Sequence, residues 1–172
     1  GAAGEIGHQT VQPDGPLCGC GNRGCLEAVA SGPALAAAGV RLIRNGLAPR
    51  LQELAGGDLN QVTPELMACA ATDGEETVRD EIHRAAEFLG IGAANLVTAL
   101  HPDMVLFGGG VAKMGELLLN RIREVVRRRV RMFPPEGVRI ELPRLTEHAG
   151  TLGGVALAVV RRRGEFHFPG EG

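Results

Sequence analysis

Between Glu75 and about Leu100 the apolar residues Val78, Ile82, Ala85, Leu89, Leu96 and Leu100 recur at helical spacing, while Arg79, Asp80, Arg84 and Glu87 fall elsewhere. This periodicity predicts a long amphipathic helix, with Gly90 and Gly92 as the points where a bend is expected. The stretch HPDMVLFGGG follows it directly. Met104 to Phe107 is a short, unbroken apolar run, as expected of a strand buried on both faces, and the glycines 108–110 turn the chain into a helix running to about Val130. VRIELPRL reads as another strand, and GTLGGVALAVVRRR as a closing helix opened by glycines. Helices alternating with buried strands constrain the chain to an α/β architecture. Upstream, Ser31 followed by Gly32 and Pro33 interrupts an Ala- and Leu-rich stretch as a cap and first turn do, so two helices are predicted there. Thr63 with Pro64 opens another short helix, closed by Gly74.

The core of such a fold must be built from Leu, Val, Ala and Ile, because the 172 residues include five Phe and no Trp or Tyr. An apolar share of 44% with 22% charged residues is that of a soluble globular protein. No run of eighteen apolar residues and no signal peptide is present, so no membrane partner is expected, and a cytoplasmic location is. The net charge of −2 does not imply nucleic acid. The arginine runs 127–131 and 161–163 are read as solvated helix ends, where cations complement the helix dipole. The chain opens at Gly1 with no methionine and is read as a fragment; its tail, residues 165–172, is expected to be mobile.

CGCGNRGC places Cys18, Cys20 and Cys25 within eight residues, threaded by Gly19, Gly21 and Gly24. The glycines let the backbone fold tightly enough for three sulfurs to converge, and His8, ten residues upstream, completes a Cys3His set suited to tetrahedral zinc. A disulfide or plain buried thiols are the alternatives, although three cysteines leave one unpaired. Cys69, on an Ala-rich helix, is expected to be a small buried residue. Glu5 and Glu27 are carried close to the metal by short chain segments. If His8 binds through one ring nitrogen, the other is a fixed donor and the two carboxylates are acceptors, a set able to grip vicinal hydroxyls.

GEIGHQTV, GPLCGCGNRGCLEAVASGPAL, CAATDGEE, LGIGAANLVTALHPDMVLFGGGV and HAGTLGGVALA together closely resemble the ROK family of sugar kinases and sugar-responsive repressors, over nearly the whole chain and in the family's order. The resemblance implies half of the actin-like ATPase or sugar kinase (ribonuclease H-like) fold with an inserted zinc-binding loop. Residues 1–32 would form the zinc loop and sugar-contact segment, and 33–164 the carboxy-terminal α/β domain. It implies structural Zn2+ on His8, Cys18, Cys20 and Cys25, with Glu5, His8 and Glu27 on the hydroxyls of a hexose or N-acetylhexosamine. Gly108, Gly109 and Gly110 then resemble an adenosine-side loop, and Gly150, Gly153 and Gly154 a second nucleotide-contacting turn; taken alone, the triplet is a plain strand-to-helix turn.

Two family features are not found in this sequence: the phosphate loop and the catalytic aspartate. The resemblance therefore implies a glucokinase-like enzyme using ATP and Mg2+, of which this chain is a half that does not turn over alone. A repressor's effector domain and a sugar-binding or assembly module are the other readings. Residues 152–160 have almost no polar face, so burial on several sides is expected, most simply through a homodimer.

Overall fold

The computed structural model describes residues 4–145 and 149–162. One compact unit runs through Leu142 and a second begins at Pro143. In the first, helices α1 (Leu26–Ala30), α2 (Gly32–Arg44) and α4 (Pro64–Thr72) pack against a long α5 (Glu76–Leu100), and the short α3 (Pro49–Leu54) packs against α2 and α4. Then follow β1 (Met104–Leu106), a 3-10 turn (Gly110–Met114), α6 (Glu116–Arg129) and β2 (Arg139–Glu141). The second unit contains α7 (Ala149–Arg162). No helix of the described residues is long and apolar enough to cross a membrane.

Local chemistry accounts for most boundaries. The Ser31 hydroxyl accepts from the Ala34 N–H at 3.3 Å, and Thr63 caps α4 by accepting from Leu66 at the same distance, each with a proline in the first turn. The break between α1 and α2 thus falls where the sequence places it. His101 ends α5 in the left-handed conformation, with its N–H on the Val97 carbonyl. No helix is read from the sequence over α3, whose N-cap, Ala48, offers no side-chain acceptor. The Glu75 carboxylate supplies the cap from elsewhere, taking the Arg50 and Leu51 N–H groups at 2.8 and 3.0 Å.

β1 and β2 pair in parallel, Met104 opposite Arg139 and Leu106 opposite Glu141, with α6 in the crossover between them. Three expectations are corrected here. β1 is not buried on both faces: Met104 and Val105 are half-buried and Leu106 is 55% exposed, because among the described residues the sheet has two strands. The helix after the glycine triplet is not continuous to Val130. A 3-10 turn comes first, and Gly115, at φ +62°, breaks the chain before α6 begins. Cys69 is exposed rather than buried.

The core follows the expected aliphatic composition, with Leu35, Leu51, Met67, Ile82, Leu118, Leu119 and Ile122 almost completely buried. α6 lies against α5 so closely that a Cβ on Gly90 would stand 2.5 Å from Val125 Cβ. In α7 of the single chain, Leu152, Val155, Leu157 and Val159 are exposed. His148 and the tail 165–172 lie outside the described residues. Gly90→Ala will overpack the α5–α6 contact and lower unfolding free energy by about 1–3 kcal/mol. Adding Val125→Ala should return part of that loss, so that denaturant unfolding gives non-additive effects for the pair.

Candidate functional site

The candidate site is built on a loop with little regular structure. Residues Ile6–His8 form one 3-10 turn, and Thr10 pairs with Cys25 in an isolated antiparallel bridge. Gly24 is the pivot. Its carbonyl accepts from Val11 and Gln12, its φ is +65°, and a Cβ there would meet the Gln12 carbonyl at 1.5 Å. Inside this frame the Cys18 N–H reaches the Asn22 carbonyl at 2.7 Å, and Gly21 N–H returns to the Cys18 carbonyl at 2.9 Å. Such short loops hold Cys18 and Cys20 on the same side as Cys25.

The four expected ligand residues come together. His8 Nδ1 and the sulfurs of Cys18, Cys20 and Cys25 all lie within 4.8 Å of one another. Cys18 Sγ is 3.6 Å from His8 Nδ1, and Cys20 Sγ is 3.6 Å from Cys25 Sγ. Tetrahedral zinc with ordinary Zn–S and Zn–N bonds requires ligand-to-ligand edges of about 3.5–3.8 Å, so the donor set fits that ion in type, number and spacing. The cysteines are free thiols, as the reduced reading requires.

Their protonation follows from place. Burial pushes the Cys25 thiol up to about 12, reinforced by the neighbouring cysteines. The Asn22 backbone N–H draws the Cys20 thiol below its ordinary value, aided by Cys25. For Cys18 the Cys20 backbone N–H pulls downward, but burial, the Cys20 thiol and the Glu27 carboxylate together leave it raised.

Glu27, in the first turn of α1, joins this cluster to a second feature. Its Oε1 is 3.4 Å from Cys18 Sγ and 3.7 Å from His8 Nδ1. It also lines a cavity of about 210 Å3 together with Gly7, Ser31, Phe107, Gly108 and Val111. The carboxylate therefore stands between the Cys3His cluster and the turn after β1. Glu5 is exposed at the start of the same 3-10 turn as His8.

Gly108 faces this cavity, Gly109 adopts φ +84°, and Gly110 opens the 3-10 turn. Lys113 pairs with Glu65 at 3.1 Å. Gly150, Gly153 and Gly154 lie inside the first turns of α7, the helix that the sequence opens with these glycines. Sequence reasoning assigns Ser31 only a capping role and none to Gln9 or Asn95. Asn95 is exposed and hydrogen-bonded to Gln9.

An α/β domain that gathers a Cys3His cluster, a bordering carboxylate and a glycine turn defines a metal-competent domain with a largely apolar cavity, edged by the Glu27 carboxylate, beside the cluster. The chain belongs to the ROK family, whose family model matches residues 1–161. It is 36% identical over 159 residues to a xylose repressor of Caldicellulosiruptor bescii, covering 92% of this chain and 39% of that protein. It is 32% identical over 169 residues to a glucokinase of Thermotoga maritima, covering 95% of this chain and 50% of that enzyme. The structure of a ROK family glucokinase from Streptomyces griseus, in complex with glucose and AMPPNP, matches with a TM-score of 0.78 at 33% identity, over 90% of this chain and 51% of that one. The chain thus spans about half the length, or less, of these relatives.

Loading the Cys3His cluster with a divalent cation must displace the protons of Cys18 and Cys25, both raised above the ordinary thiol value. Apparent zinc affinity should therefore climb at least about a hundredfold per pH unit from pH 6 to 8, because Cys18 and Cys25 each release a proton per ion taken up and any proton still on Cys20 adds to the slope. Competition against a chromophoric chelator across that range checks the slope, and a flat profile would contradict it.

Proposed function

We propose that the protein to which this chain belongs transfers a phosphoryl group from ATP to a hexose, and that this chain carries the sugar-recognition half. Glu5 and Glu27 accept hydrogen bonds from sugar hydroxyls, and the His8 ring nitrogen turned away from the cysteines donates one. Holding a hydroxyl pair between a fixed donor and fixed acceptors orients the sugar before any chemistry. His8, Cys18, Cys20 and Cys25 would hold structural Zn2+, which supplies the rigidity that such a short loop needs. Gly108, Gly109, Gly110, Gly150 and Gly153 belong to the nucleotide side, where backbone without side chains can approach a ligand closely. We assign no catalytic base or Mg2+ ligand to this chain, which on this reading binds sugar without turning over ATP.

The observation that supports this reading best is the position of Glu27, within 3.7 Å of His8 and on the wall of the cavity that Gly108 shares. A sugar-responsive repressor is the second reading, favoured by the 36% identity to the xylose repressor. Both use the same hydroxyl-binding set. ATP turnover by the full-length protein with a hexose separates them, and sugar-dependent release of DNA would favour the repressor. We further propose that the chain forms a homodimer through the apolar side chains of α7, exposed in the single chain.

Calorimetric titration of this chain with glucose, N-acetylglucosamine and N-acetylmannosamine should find millimolar or tighter binding of at least one, with no ATP hydrolysis. Glu27→Gln removes a charge-assisted acceptor and should weaken that binding about ten- to a hundredfold. Binding unchanged in Glu27→Gln would remove this residue from the site. Sedimentation at tens of micromolar should show a dimer; a stable monomer would refute the self-association.

A further inference from the structure

Gln9 stands between the two halves of the hydroxyl-binding set. His8 precedes it directly, and its backbone carbonyl accepts from the Leu26 N–H at 2.9 Å, one residue before Glu27. Its side chain leaves the loop for α5, where Asn95 Nδ2 donates to Gln9 Oε1 at 3.0 Å across 86 positions of sequence. Gly92, one helical turn earlier, makes the approach possible: a Cβ there would lie 3.0 Å from Gln9 Nε2 and 2.8 Å from Leu26 Cδ2.

We propose, resting on the sugar-recognition reading above, that Gln9 is a positioning residue. Seated on Gly92 and Asn95, it fixes the His8 imidazole relative to the Glu27 carboxylate. The other restraints on His8, its Nδ1 contact with Cys18 Sγ and the bond from Cys25 Sγ to its carbonyl at 3.4 Å, lie within the loop itself and do not tie it to α5. The 3-10 turn Ile6–His8 buries none of its residues, and the Thr10–Cys25 bridge is isolated. Leu26, by contrast, is buried against the core, so α1 and Glu27 have an anchor of their own. Gln9 extends that anchor to His8 through one backbone bond and one side-chain bond. Recognition groups held in advance bind more tightly because less freedom is lost on binding.

The Gln9–Asn95 bond faces solvent, so its effect is modest. Asn95→Leu removes the donor at similar size. Asn95→Asp keeps a partner, since the Gln9 amide can turn over and donate Nε2 to the new carboxylate. Calorimetry on zinc-loaded chain with glucose should show Asn95→Leu about three- to tenfold weaker. Zinc content and helical signal should stay at wild-type values, and Asn95→Asp should recover most of the loss. In a Gln9→Ala background, Asn95→Leu should change nothing further. Wild-type affinity in Asn95→Leu, or an equal loss in both backgrounds, would overturn the proposal.

The His8 ring resonances provide a second reading that needs no sugar. They should move in Asn95→Leu and return in Asn95→Asp. If the wild-type chain takes up N-acetylglucosamine or N-acetylmannosamine and not glucose, the same calorimetry is run with that sugar; if it takes up none of the three, the sugar reading fails, and these resonances decide the positioning role by themselves: unmoved in Asn95→Leu, they refute it.

Discussion

The close approach of backbone to α5 is the constraint on which the first unit depends. Along its second half this helix turns Gly90, Gly92, Ala93 and Ala94 inward, and its neighbours come in accordingly. Val125 of α6 occupies the space a side chain on Gly90 would take, and Leu26 and Gln9 occupy that of Gly92. A helix interior loses about 1 kcal/mol for each glycine in place of alanine. That cost is offset where the missing methyl lets a whole helix or loop gain dispersion contact. Gly90 and Gly92, two residues apart and so on different sides of one helix, thus seat the structural partner, α6, and the loop that carries the candidate site.

The loop has little core of its own. Cys18, Cys25 and Leu26 are its buried apolar residues, and Leu26 already belongs to the main core. Three sulfurs and the Glu27 carboxylate gather around one imidazole, and the anionic forms of the thiols and the carboxylate repel each other. Burial compounds this by holding the Cys25 thiol protonated, up to about 12. A divalent cation reverses the sign of every one of these terms, because thiolate, neutral imidazole and a nearby carboxylate all favour it. The same crowding that resists ionisation of the thiols is therefore the chemistry that would make the loop select a cation.

What could be read from sequence was what short-range chemistry decides. The period of α5, the Ser31 and Thr63 caps and the Cys18–Cys20–Cys25 spacing are all written within a few residues of where they act. Features set by distant partners were not legible. α3 starts where it does because Glu75, some 25 positions on, accepts its first N–H groups, and nothing near Ala48 announces that. Asn95 drew no assignment because its partner lies 86 positions away. The burial of β1 failed for a different reason: an apolar run reports what a strand can bury, whereas exposure of Leu106 depends on which surfaces come to cover it.

The relatives sharpen what this stretch contributes. The same residues align with a xylose repressor and with a glucokinase. Recognition of hydroxyls by an imidazole and carboxylates would, on the proposed reading, serve a kinase or a repressor, because binding energy can favour a domain closure that precedes phosphoryl transfer or one that alters DNA affinity. On the proposed reading, the Cys3His loop and its seat on α5 are the sensor common to both. A sensor of this kind needs a rigid reference more than it needs a reactive group, since a ligand shifts an equilibrium only by its differential affinity for two states. Anchoring His8 and Glu27 to one helix confines that differential to movement of whatever closes over them.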